Sequence, residues 1–132
     1  MSALEQGLTL ISMPTTSTGL KPFRFAAVNS GGYAAYPAVG AATIGVLMTG
    51  TTGSTHHPTT VNVAIQGVAK LAISTASTVA VPDLVMSSSR GSAVAMTAAG
   101  IVAGQIISGS SGGAGRVAYV LIAGVNASTA TV

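Results

Sequence analysis

From Val61 to Ser74 the chain changes character at nearly every residue. Val61, Val63, Ile65, Gly67, Ala69, Leu71 and Ile73 alternate with Asn62, Ala64, Gln66, Val68, Lys70, Ala72 and Ser74. An extended strand sends successive side chains to opposite faces, so period-two alternation over this length specifies a strand. A helix would instead need apolar residues three and four apart, and the Val, Ile and Thr content also favours strand. Gly67, in the middle of the run, is expected to mark a bulge or bend between two strand segments.

The remaining segments read the same way. Leu84-Val85-Met86 and Ala93-Val94-Ala95-Met96 flank Ser87-Ser88-Ser89-Arg90-Gly91, an apolar–turn–apolar pattern that predicts a hairpin. Val79–Pro82 leads into it, and Pro82 is excluded from a central ladder position because it lacks an N–H. Gly40–Thr49, Gln105–Ile107 and Val117–Ala123 are further strands. Val117–Ala123 is apolar on both faces, which suits either a central buried strand or one at a subunit interface. Ser108–Gly115 (SGSSGGAG) supplies a loop that tolerates positive φ. Ala93–Ala103 is helix-tolerant but interrupted by Gly100 and Gly104, and no long helix is predicted. Short strands separated by Gly, Ser and Pro turns give an all-β class, a small β-barrel or sandwich.

Residues 1–32 differ from residues 33–132, the β-barrel-like domain. They hold Pro14, the Thr15–Thr18 polar run, Gly19, Pro22 and the turn cluster Asn29-Ser30-Gly31-Gly32. They are read as an extended N-terminal arm with one short strand at Phe23–Val28. Leu8, Leu10, Ile11, Phe23 and Phe25 give such an arm something to bury on a partner. The alternative is a disordered tail at least as far as Gly19.

Charge sets the functional bounds. The chain of 132 residues has five Lys or Arg and two Asp or Glu, 5% charged, against about 25% in an ordinary soluble domain. Phe25 to Ala69 contains no charge at all. Free monomers use charge to keep their surfaces soluble, so much of this surface is expected to be covered by other copies or by a larger assembly. General acid–base catalysis needs ionisable groups, and this chain has few, so no enzymatic activity and no cofactor are expected. Aromatics are 4% with no Trp, so the core must be aliphatic. The absence of Cys removes disulfides and thiolate metal sites. The net charge of +3 and pI of 9.8 reflect scarce acids. The cations are scattered along the sequence, and without a basic stripe no nucleic-acid partner is expected. The uncharged runs 25–69 and 91–115 are broken by Gly, Ser, Thr and Pro, and neither holds the ~18 consecutive apolar residues of a spanning helix. No membrane partner is expected. The first residues hold Glu5 and no Lys or Arg before a weak apolar run, a poor secretory signal, so synthesis in the cytoplasm is expected.

Local chemistry is sparse. His56-His57-Pro58 offers two imidazoles, but neighbours on an extended chain point oppositely, and no Cys, Asp or Glu lies nearby to complete a metal shell. A solvated loop is the expected role, unless symmetry gathers the same His from several copies. Glu5 and Asp83 would have to form any carboxylate pair; they read as an arm residue and a turn residue. No G-x-S-x-G elbow is present, and the Gly-rich loop lacks the G-K-[ST] ending of a phosphate loop. Met48, Met86 and Met96 read as core fillers.

One ordered set of segments carries a resemblance. Gly45-Val46-Leu47 precedes a loop; then follow Val61-Asn62-Val63-Ala64-Ile65-Gln66-Gly67-Val68-Ala69, Val81-Pro82-Asp83-Leu84-Val85, Gly91-Ser92-Ala93-Val94, Ile101-Val102-Ala103-Gly104-Gln105 and Val117-Ala118-Tyr119-Val120-Leu121. This order, over roughly two-thirds of the chain, resembles the small all-β capsid decoration, or cement, proteins of tailed bacteriophages. Pro82 stands where that pattern has glycine before Asp83. The resemblance implies a structural virion protein on the outer surface of the capsid. It would bind the major capsid protein at capsomer junctions, assemble as a homotrimer, and brace the shell against packaged DNA. Leu8, Leu10, Ile11, Lys21, Phe23, Arg24, Phe25, Tyr119 and Leu121 are the expected capsid or subunit contacts. Phe23 and Phe25 are the expected anchors, since aromatics dominate interface hot spots, and Lys21 and Arg24 are placed to meet acidic shell surface. The alternative is a tail or fibre module engaged in host attachment, although few aromatics are present to serve as sugar platforms.

Overall fold

In the computed structural model, which describes residues 6–17, 19–51, 59–74, 79, 81–97, 99–109 and 117–122, the alternating run forms the longest strand, β5 (Thr59–Ala72). The other strands are β1 (Gln6–Thr15), β2 (Arg24–Val28), β3 (Ala34–Ala35), β4 (Gly45–Leu47), β6 (Leu84–Ser87), β7 (Ala93–Ala95), β8 (Gly104–Gly109) and β9 (Val117–Ile122). No helix occurs among the described residues, and the fold is all-β. The strands make one sheet in the order β3-β2-β4-β5-β9-β8-β6-β7, with β1 added on β5.

A strand has two hydrogen-bonding edges, and β5 uses both. β1 lies antiparallel along one edge, with Leu10 opposite Ala64 and Met13 opposite Val61. The other edge is divided. β4 pairs with it at Val63 and Ala64, and β9 pairs with it from Val68 to Ala72. Gly67, at a φ of 106°, lies between these two halves, and the register with β1 shifts beside it. Before Gly67, Val61 and Val63 face one apolar cluster and Ala64 faces the other; beyond it Ala69, Leu71 and Ile73 face the cluster that Ala64 joins. The irregularity therefore exchanges the faces of the strand. The positive φ that permits this is open to glycine and strained for other residues.

From β5 the sheet curls through β9, β8, β6 and β7 until it meets its own beginning. Ile73, just past β5, forms a parallel bridge to Ala93 of β7, and the Ser74 N–H donates to the Ala93 carbonyl at 2.9 Å. Inside this curl sit Leu71, Ile73, Val85, Ile106, Val120 and Phe25. A second cluster, built on Leu20, Ala26, Leu47, Val61 and Val63, fills the opposite face of the β2–β4–β5 part of the sheet. Consecutive residues are therefore buried on opposite faces, as with Phe25 and Ala26, or Val46 and Leu47.

Several expectations need correction. The segment expected as an arm is extended, but its strands belong to the sheet. β1 pairs with β5, and β2 lies between β3 and β4. Phe25, expected as an interface anchor, is fully buried in the curl of the sheet. Its N–H donates to the Gly91 carbonyl at 2.6 Å, and a Cβ at Gly104 would stand 3.7 Å from its ring. The strand expected over Gly40–Thr49 shrinks to Gly45–Leu47. Gly40 instead crosses over Met86, its N–H donating to the Ser87 carbonyl and its own carbonyl accepting from the Ile101 N–H, both at 2.9 Å. Loop residues 110–115 lie outside the described residues.

Two stability predictions follow from this packing. Phe25→Ala should lower the unfolding free energy by about 3–5 kcal/mol, the range for emptying a buried aromatic site; urea denaturation measures it, and a loss within experimental error would refute the core assignment. Thr43 is buried with no hydrogen-bond partner for its Oγ1 among the described residues. Thr43→Val removes that unmet hydroxyl at nearly constant shape and should raise the unfolding free energy by ~1 kcal/mol in the same assay.

Candidate functional site

Alternation on β9 sends Ala118, Val120 and Ile122 inward and leaves Val117, Tyr119 and Leu121 on the outer face. Leu121 pairs with Val68 on one side and Gln105 on the other, and Gln105 pairs with Leu84. Residues directly opposite share a face, so Leu84, Gln105, Leu121 and Val68 form one row across the outside of the curl, ~14 Å long at the usual strand spacing. Leu84 is 47% exposed, Leu121 46% and Val117 44%. Ile107 adds another exposed side chain on β8. Together these side chains give the outer face of β6, β8 and β9 an apolar strip interrupted by Gln105. The sequence pointed to Tyr119 and Leu121 but missed Leu84, Ile107 and Val117, because strand register is set by partners far along the chain.

β1 offers a second surface. Leu10 and Ile11 are both exposed although they point to opposite faces, while Leu8 is half-buried against the main core. Among the described residues no strand other than β5 pairs with β1, so its outer edge presents unpaired backbone groups. Gly7, at a φ of 63°, and Pro14 interrupt that edge, devices that restrain edge-to-edge association.

The third feature is electrostatic. Lys21, Arg24 and Arg90 come together on one open groove of about 750 Å³. This corrects the reading of the cations as scattered, for Arg24 and Arg90 are 66 positions apart and meet only through the fold. The Arg24 Nη1 donates to the Arg90 carbonyl at 3.2 Å. Lys21 is exposed, and its backbone N–H donates to the Tyr36 hydroxyl at 2.8 Å, which in turn donates to the Gly19 carbonyl. Asp83 lies at the far end of β6 from this groove, ~17 Å along the chain at strand rise.

Phe23 has a different position from Phe25. Its φ is 63°, a genuine outlier for a bulky residue. The segment is held there by the Phe23 N–H donating to Leu47 at 2.7 Å and by its carbonyl accepting from Ala72 at 2.9 Å. Its half-buried ring lies under the Lys70 ammonium, 5.2 Å from Nζ to centroid, a cation–π arrangement. Among the described residues no group of three His, Cys, Asp or Glu could hold a metal. His56, His57 and Glu5 lie outside the described residues.

No family model matches the chain, and no curated protein matches it. Among solved structures, the fold is similar to that of the head fibre gp8.5 N base of bacteriophage phi29. The TM-score is 0.67 at 16% identity, covering 87% of this chain and 95% of that one. At this identity the likeness establishes a shared fold.

The exposure pattern of β9 gives a paired test. Leu121→Lys should change the unfolding free energy by no more than ~0.5 kcal/mol, as for ordinary surface substitutions. Val120→Lys, one residue earlier, would place an unpaired ammonium in the core and should abolish folding. Circular dichroism and urea titration of both variants read the difference; the reverse order would mean that β9 faces the other way, and equal behaviour would refute the assignment of one buried and one exposed face.

Proposed function

We propose that this chain is a non-enzymatic structural protein of a tailed-bacteriophage virion that docks on the outside of the head. In the finer form of this reading it is a decoration protein, binding the major capsid protein at capsomer junctions as a homotrimer. The observation that carries the reading is the fold shared along nearly the full length of a head fibre base. The scarcity of charge and the exposed apolar row on β9 and β6 support it, since both suit a surface that works by being covered. Binding would draw on apolar burial at about 25 cal/mol per Å², offset by the ordering that association requires. Leu84, Tyr119 and Leu121 replace Phe25 as the anchors of this face.

The same likeness favours a second reading, the base of a fibre that projects from the head. The two readings differ in what they do to the shell. The purified chain, mixed with heads that lack it and sedimented, should bind saturably at a symmetry-related copy number. A decoration protein should also raise the temperature at which heads release DNA, whereas a fibre base should bind and leave that temperature unchanged. Leu84→Glu with Leu121→Glu should reduce the bound copies while leaving the fold intact. No binding to heads would refute both readings and favour a tail module.

Deleting residues 1–20 is not a clean test of docking. It would remove β1 from β5 together with buried Thr15 and Leu20.

A further inference from the structure

In a chain with so few charges, Lys21, Arg24 and Arg90 line one groove, an arrangement suited to an anionic ligand. Like charges repel, and among the described residues no acidic side chain is placed to neutralise these. Among the described residues no carboxylate lines the groove, and no ion pair or hydrogen bond engages the side chains of Lys21 or Arg90. The groove lies at the seam where the sheet closes on itself, beside the β6–β7 turn. That turn is held by Ser88, whose Oγ accepts from the Arg90 and Ser92 N–H groups at 3.2 and 3.1 Å and lies 2.8 Å from the Ser92 Oγ. Ser89, exposed beside Arg90, adds a hydroxyl to the rim. A fixed turn with hydroxyls and guanidinium groups around it is a setting for carboxylate recognition, because Arg donates in a planar fork that matches a carboxylate.

We propose that this groove seats a carboxylate-bearing extended segment of a partner protein. The inference deepens the head-docking reading and rests on it for the identity of the partner, an acidic segment exposed on the shell. Two observations favour a peptide over a nucleic acid. Tyr36, the one aromatic residue among the described residues lining the groove, has its hydroxyl engaged by Lys21 and Gly19, and single-strand binders instead present a series of stacking platforms. The groove also runs into the apolar outer face, because Val117 lines it and stands on the same face of β9 as Tyr119 and Leu121. One extended segment could therefore place carboxylates among the cations and apolar side chains along β9.

The test uses the full-length chain and a dye-labelled hexaglutamate peptide, read by fluorescence anisotropy at low salt. Saturable binding is expected, weakening as salt rises. Lys21→Gln with Arg90→Gln should weaken it ~10-fold, from two lost pairs of ordinary surface strength. Both side chains are exposed, and the Arg90 carbonyl that receives Arg24 is unchanged, so this variant should fold. Lys70→Gln, which alters a cation outside the groove, should bind within ~2-fold of the parent when the variants are compared at about 0.15 M salt, where a change in net charge alone is screened. Equal affinity in all three proteins would overturn the proposal, as would an equal loss in Lys70→Gln. Tighter binding of an oligothymidylate than of the peptide would also overturn it and reassign the groove to phosphate. Heads provide the separating arm. If the chain binds heads but not hexaglutamate, the groove inference falls and the docking reading stands; if it binds hexaglutamate but not heads, the docking reading falls and the groove inference stands.

Discussion

A strand of regular alternation can give each core only one of its two sets of side chains, and β5 escapes that limit at Gly67. Ala64 and Leu71 reach the same apolar cluster although they stand an odd number of positions apart. Without the slip, Ala69, Leu71 and Ile73 would face solvent and Val68, Lys70 and Ala72 would face the core. Lys70 would then need a buried partner for its charge. The inversion also divides one edge of β5 between β4 and β9, so the chain can fill two clusters from one continuous strand. The closure of the sheet at Ile73 and Ala93 depends on this phase, because it is the exchanged face that carries Ile73 inward.

The low charge of the chain gives each remaining charge more weight. Two cations ~10 Å apart at a well-solvated surface repel by only ~0.4 kcal/mol, so the grouping of Lys21, Arg24 and Arg90 is tolerable without a ligand. It is still an unusual use of a small inventory. Lys70 is stacked over Phe23 instead, and Arg24 is tied by one of its donors to the Arg90 carbonyl. That bond orients the guanidinium at the groove and leaves its other donors for a ligand.

What was legible in the sequence had local causes. The alternation of β5, the bend at Gly67, the hairpin around Ser87–Gly91 and the strand at Val117–Ile122 all follow from neighbours within a few residues. What was not legible depended on long-range register or on a single dihedral. Phe23 and Phe25, two apart, should share a face if both lie in a strand. The positive φ at Phe23 breaks that rule, turning one ring out under Lys70 and leaving the other in the core. No composition or spacing signals that turn. The meeting of Arg24 with Arg90 and the pairing of β1 with β5 likewise arise from strand order, which a sequence of Val, Ala, Gly and Thr encodes weakly.

The same weak encoding bears on how a fold can persist at 16% identity. A core of small aliphatic residues accepts exchange among Val, Ile, Leu and Ala when volume and alternation are kept. Identity can therefore fall while the curl survives, provided backbone requirements such as the positive φ at Gly67 are met. The outer residues carry no such constraint. Leu84, Leu121 and Val117 are free of core packing, and the seam beside the groove is held by bonds such as the Ser74 N–H to the Ala93 carbonyl, in which the Lys21 and Arg90 side chains take no part. Partner choice can then change without disturbing the fold, and in this chain an apolar strip and a cationic groove meet at Val117 to form one continuous surface.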